Sequence, residues 1–192
     1  MNSKKLTAKE AKRHAILDAA TELLVDKPTA SLHDIATYAG IGIATLHRYF
    51  ESREQLMLQL GLRATELVKA KMEALALDEI TDETYIPKLV EALIPLGDKI
   101  YFLTHNNCLA YNSEMRAAED QLKAPIEQKF KSLQKKGYLR SEVSSEWIFS
   151  VLYALLFHTW QQVQEGNIAR KAAASLLVDT FMNGFKTNHA GK

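Results

Sequence analysis

The chain has 192 residues, 47% hydrophobic and 24% charged, with a single cysteine, Cys108. Such a composition can bury a globular core, and one thiol excludes an internally disulfide-stapled secreted scaffold. Formal net charge is +1, and residues 1–63 hold nine Lys/Arg against seven Asp/Glu, so charge alone does not announce a nucleic-acid partner.

Apolar residues recur with helical spacing along almost the whole chain, and no stretch sustains strand alternation. Residues 8–25 carry Ile16, Ala20, Leu23 and Leu24 on one face, and Pro28 stops that helix. Ser31 with Asp34 three residues on is the N-cap of a short second helix carrying Leu32, Ile35, Ala36 and Ala39. Gly40-Ile41-Gly42 is a tight turn, and a third short helix runs over residues 43–50. Ser52 with Gln55 reads as a capping box opening a long fourth helix that reaches Ala76.

Residues 78–82 are acidic and polar and read as a loop. Pro87 falls near the start of the next helix, and Pro95 kinks it. Asn106-Asn107 marks a helix end; Pro125 opens a helix closed by Gly137; Ser144 or Ser145 caps another that Gly166-Asn167 ends. A last helix places Ala173, Leu176, Leu177, Thr180, Phe181 and Gly184 on one face. The predicted fold is all-α, with a three-helix helix-turn-helix domain over residues 1–51 and a helical bundle over residues 52–192 that dimerises.

The passage 32–51, LHDIATYAGIGIATLHRYFE, has what a helix-turn-helix needs. Ala36 is small enough for a close crossing, Gly40 accepts a positive φ, and Ile41 and Leu46 pin the second helix to the first. Gly42, Ile43, Ala44, His47 and Arg48 then fall on the outer face, which in such a motif enters the major groove of DNA.

Residues 16–58 resemble the tetracycline-repressor (TetR) family of regulators. The matching elements are Glu22-Leu23-Leu24, the Ser31 cap, Asp34-Ile35-Ala36, Ala39-Gly40-Ile41, Thr45-Leu46-His47-Arg48-Tyr49-Phe50 and Ser52-Arg53-Glu54-Gln55-Leu56. The chain departs from the pattern at Gly42, where serine or threonine is common, at Ile43, where a polar or basic residue is common, and at His47, which replaces a tyrosine. The resemblance implies a repressor that responds to an effector and binds a palindromic double-stranded DNA operator as a homodimer. It needs no cofactor. On that basis Ser31, Thr45, His47, Tyr49 and Arg53 belong to the DNA-facing surface, with Arg53 on phosphate, and His33 reaches a base or a phosphate. Ile43 and Ala44 suit thymine methyls, while Arg48 suits either a guanine edge or a phosphate.

Ten of the eleven residues in 147–157 are apolar, so that helix has no solvated face of its own and, paired with the last helix, predicts a two-fold dimer contact. The run is well short of the ~20 residues that cross a bilayer, and no apolar leader core follows Met1; we expect a cytoplasmic protein with no membrane partner. Phe102, Cys108, Tyr111, Trp147, Tyr153, Phe157 and Trp160 are candidate linings of a pocket for a small apolar effector, neutral or weakly polar because no charge cluster is visible in sequence. No nucleophile with a base, no metal cluster and no glycine-rich phosphate loop occurs. His105 and Cys108 are two potential ligands at most, and Glu10 with His14 reads as a solvated pair, so we expect no enzymatic activity. The alternative is a helical adaptor that binds protein instead of DNA.

Overall fold

A computed structural model of the chain describes residues 7–75, 80–99 and 112–187. They form eight α-helices: α1 (Ala8–Asp26), α2 (Leu32–Tyr38), α3 (Ile43–Tyr49), α4 (Arg53–Ala74), α5 (Asp82–Leu93), α6 (Ser113–Lys135), α7 (Ser145–Gln164) and α8 (Arg170–Phe185). Among the described residues there is no strand, only an isolated antiparallel bridge between Leu139 and Lys186. The fold is all-α, with an N-terminal helix-turn-helix unit and a C-terminal helical bundle. Phe102, His105, Cys108, Tyr111 and the Asn106-Asn107 stop lie outside the described residues.

The helix starts are set by side-chain caps that satisfy orphan amides. Thr7 and Glu10 form a reciprocal capping box on α1, so Glu10 accepts from the Thr7 amide and hydroxyl, both at 2.8 Å. These bonds from Thr7, with a weaker attraction from His14, hold the Glu10 carboxyl below its ordinary range. Ser52 accepts from the Gln55 amide at 3.1 Å, but the Gln55 side chain reaches one residue further than a capping box requires and accepts from the Glu51 amide at 2.6 Å.

The prolines behave differently from their sequence reading. Pro125 does not open a helix: Asn112 caps α6 twelve residues or so earlier by accepting from the Met115 amide at 3.0 Å, and Pro125 sits inside. Pro125 and Gln121 are both exposed, so water can take the Gln121 carbonyl that the proline leaves without an amide. Pro87 likewise lies within α5, beyond its first turn. Pro95 does more than kink: α5 stops at Leu93 and a 3-10 turn, Ile94–Leu96, follows. Residues 97–99 are helical again, and Gly97 lies against α7 so closely that an added Cβ would fall 1.9 Å from Trp160 Cγ.

Two apolar cores form. The first joins Ile16, Leu17, Ala20 and Leu24 of α1 to Ile35, Ala36, Leu46 and Phe50, with Leu56, Met57 and Leu60 of α4. It also takes in Met115 from the start of α6, only 1% exposed. The second unites Val68 and Met72 of α4 with α5 to α8, where Phe130, Phe181 and Phe185 form a row of mutually tilted rings at centroid spacings of 6.3 and 5.1 Å. Helix α4 thus contributes its first half to one core and its second half to the other, and α6 crosses between the two through Met115.

On α8 the buried stripe is Ala173, Leu177, Phe181 and Phe185, a four-residue step facing the bundle. Leu176, Thr180 and Gly184, which the sequence puts on the same face, are exposed.

Candidate nucleic-acid interface

The turn between α2 and α3 begins with Gly40, whose φ of +64° is a left-handed conformation that a side chain would strain. That geometry lets the Gly40 amide donate to the Thr37 carbonyl at 3.1 Å and the Ile41 amide to the Ala36 carbonyl at 2.9 Å, closing α2 with a Schellman motif. Ala36, 1% exposed, provides the close crossing, and Leu46, fully buried, anchors α3. With Leu46 inward, helical spacing turns Ala44 and Arg48 outermost, and both are exposed. His47 on one flank is exposed, Thr45 on the other is half-buried, and Ile43 and Tyr49 are half-buried nearer the core. Gly42 caps α3 without any side-chain hydrogen bond, as expected from the missing hydroxyl.

His33 is exposed on α2, and Thr37, one turn later, shares its face. The Thr37 hydroxyl donates back to the His33 carbonyl at 2.9 Å. The Arg48 guanidinium lies 5.9 Å from the Tyr49 ring centroid. Arg48 and Tyr49 meet the cap Thr7 and Lys9, Glu10 and Arg13 of α1 around a concavity of about 420 Å³, where Arg13 itself donates to Gln59 and lies 5.9 Å from the Phe50 ring centroid. Lys9 and Arg13 escaped the sequence reading, although their i, i+4 spacing on the first turns of α1 already puts two cations on one face.

Two side chains that the resemblance assigned to DNA are engaged inside the protein. The Ser31 hydroxyl accepts from the Asp34 amide at 3.1 Å and donates to the Asp34 carboxylate at 2.7 Å, while the Ser31 amide donates to the same carboxylate at 2.8 Å. These donors hold the Asp34 carboxyl down at about 2, and the nearby Lys27 adds to the effect. Arg53 donates to the Ala30 carbonyl at 2.5 Å and to the Pro28 carbonyl at 3.4 Å. Both residues therefore shape the α1–α2 connection and the start of α2 in the DNA-free protein.

Of the aromatic pocket candidates that fall on described residues, Tyr153 lines a groove of about 710 Å³ between α6 and α7, together with Phe149, Leu122 and the carboxyl-bearing Glu119, Asp120, Glu127 and Glu146. Phe149 and Tyr153 are stacked, 6.0 Å apart and inclined by 17°. Phe157 and Trp160 make a tilted pair at 6.3 Å on the same helix. Trp147 is 60% exposed and does not line the groove, because its position in the first turn of α7 points away from the bundle core. Three of the carboxylates share α6 and the fourth opens α7, so it is the packing of these consecutive helices that gathers them. Among the described residues no three His, Cys, Asp or Glu are placed to hold a metal ion, and no helix is long and apolar enough to cross a membrane.

Comparison with known proteins agrees with this arrangement. Residues 16–60 match the profile of the bacterial regulatory proteins, tetR family. The HTH-type transcriptional repressor LfrR of Mycolicibacterium smegmatis is 30% identical over 159 residues, covering 83% of this chain and 82% of that protein. The HTH-type transcriptional regulator NfxB of Pseudomonas aeruginosa is 22% identical over 172 residues, covering 88% and 91%. The crystal structure of LfrR in complex with proflavine superposes with a TM-score of 0.78 at 26% identity, covering 93% of this chain and 98% of that one. A TetR family regulator from Marinobacter aquaeolei shares the fold, with a TM-score of 0.72 at 18% identity over 94% and 98%. Its relatives are DNA-binding regulators and not enzymes, and the chain belongs to the tetR family of bacterial regulatory proteins.

Proposed function

We propose that this DNA-binding regulator is a cytoplasmic, effector-responsive repressor that acts as a homodimer on a palindromic operator. The observation that carries the reading is the outer row of α3, where Ala44 and Arg48 stand exposed on a helix fixed by the Gly40 turn. In this reading Ile43 and Ala44 pack against thymine methyls and Arg48 meets a guanine edge or a phosphate. Thr45, His47 and Tyr49 bind the phosphate backbone, joined by Lys9 from α1, and His33 reaches a base or a phosphate.

Two large apolar side chains support the dimer. Trp147 on α7 is 60% exposed and Leu176 on α8 is 48% exposed. On α7, helical spacing aligns Trp147 with Val151, Ala154 and His158; Val151 packs at the edge of the second core, while Trp147, Ala154 and His158 are exposed. Burying that face against its copy makes a four-helix contact of two-fold symmetry. The effector reading is supported by the groove between α6 and α7 and by LfrR, which was crystallised with proflavine. The helical adaptor reading has no comparable support.

The test is selection of binding sites from random duplex DNA by the full chain, with sedimentation of the selected complex. The reading predicts a dyad-symmetric site occupied by a whole number of dimers. Sites lacking any dyad, or a monomer bound to one half-site, would contradict it.

A further inference from the structure

A continuous series of contacts runs from α4 to the exposed row of α3. Gln59, half-buried on α4, accepts through its side-chain oxygen from the Arg13 guanidinium of α1. The same guanidinium lies 5.9 Å from the ring centroid of Phe50, the C-cap of α3, which is only 1% exposed. The Phe50 ring meets that of Tyr49 at 6.4 Å, tilted by 39°. The Arg48 guanidinium in turn lies 5.9 Å from the Tyr49 ring centroid. Glu10, three residues before Arg13, is its natural ion-pair partner on α1. That carboxylate is engaged by the Thr7 amide and hydroxyl, and no ion pair with Arg13 forms within 4 Å.

We propose that Arg13 is a positioning residue for base reading: it clamps the end of α3 to α4 and so sets the direction in which Arg48 leaves the helix, without touching DNA itself. The inference rests on the reading of α3 given above and adds to it a residue from outside the helix-turn-helix. Helix α3 has only seven residues and no side-chain bond at its Gly42 cap, so it depends on its surroundings for orientation. The Gly40 turn fixes its start, and buried Leu46 pins its middle. At its end the backbone of Phe50 is extended, with φ −139° and ψ 110°, as the chain turns towards α4. What holds this end is therefore what Phe50 packs on. A planar guanidinium can lie on a ring and donate from its edge at the same time, which a compact ammonium cannot. Arg13 uses both properties at once, on Phe50 and on Gln59. Lys9, exposed one turn earlier on α1, has no such engagement and is left for phosphate.

The experiment compares Arg13→Lys, Gln59→Ala and the two combined, in the full chain, with the parent and with Arg48→Ala. Stoichiometric titration against the parent's selected site gives each protein's active fraction, and site selection from random duplex DNA gives its base preference. Each single change should weaken the parent site by about tenfold. Each should also relax the base preference at the position that Arg48→Ala relaxes. The combined variant should be no worse than either single one, because both remove the same link. Added to Arg48→Ala, Arg13→Lys should change base preference no further. Partial misfolding lowers the active fraction but leaves the preference of the remaining molecules intact, so it cannot imitate this pattern. Lysine keeps the charge that a phosphate contact needs. Parent-like binding and preference in Arg13→Lys, additive losses in the combined variant, or weaker binding with unaltered preference would each overturn the proposal and leave the reading of α3 standing. Selected sites unchanged by Arg48→Ala would bring down that reading and the proposal with it.

Discussion

The Arg53 guanidinium, at the first position of α4, donates to the Ala30 carbonyl at 2.5 Å. It thereby ties the helix that enters the C-terminal bundle to the loop that aims α2. Arg53→Ala removes this charged hydrogen bond and the weaker one to Pro28, and we predict a loss of about 1 kcal/mol because the side chain is only half-buried. The salt dependence of DNA binding should keep its slope. An unchanged melting temperature together with a slope reduced by about one unit would mean that the guanidinium leaves the loop for a phosphate.

Two carboxyl groups make stability sensitive to acid. Asp34 titrates at about 2 in the folded protein because Ser31 donates to it, against an ordinary value of 3.8. Its contribution is therefore complete above about pH 4 and is lost as pH falls through about 2. Asp82 is also held low, by Lys129 at 2.9 Å and Lys136 at 2.5 Å, so its contribution too disappears on the acid side. Melting curves of the parent, Asp34→Asn and Asp82→Asn should converge as the pH is lowered. Added salt should narrow the Asp82 gap more than the Asp34 gap, since lysines hold the first and mainly a hydroxyl and an amide hold the second. Gaps that persist at the acid end would show that neither carboxylate matters through its charge.

Met115 is the one residue of α6 in the first core, while Glu119, Leu122 and Lys123 of the same helix line the groove. A ligand that shifts α6 must disturb this contact. Met115→Ala should cost about 3 kcal/mol from the cavity it leaves. It should also reduce the factor by which an effector weakens DNA binding, and by reciprocity the factor by which DNA weakens effector binding. Met115→Leu should restore most of both. Full coupling in a folded Met115→Ala protein would place the route elsewhere, along α4.

The helix-turn-helix was legible in sequence because its determinants are local. Gly40 must take a positive φ, Ala36 must be small, and Ser31 must stand three residues before Asp34. Each is a short-range constraint written into neighbouring residues. The bundle was less legible where tertiary context decides. Pro125 looked like a helix start, yet an upstream Asn112 cap and an exposed position let α6 run through it. Leu176 shares apolar character with Leu177, but only packing against the bundle tells which of the two is buried. The acidic groove was invisible because Glu119 and Glu146 become neighbours only when α6 and α7 pack together. Arg53 matched a family position whose usual partner is phosphate, and no sequence feature announces the Ala30 carbonyl as the alternative.

The account turns on α3 presenting Arg48 to DNA from two symmetric subunits. The measurement that tests this most directly is site selection from random duplex DNA with the parent chain and with Arg48→Ala, side by side. The account predicts that the variant loses base preference at one position in each half-site, symmetrically about the dyad, with affinity for the parent site reduced by about 1–3 kcal/mol. An unchanged set of selected sites bound with unchanged affinity would contradict it.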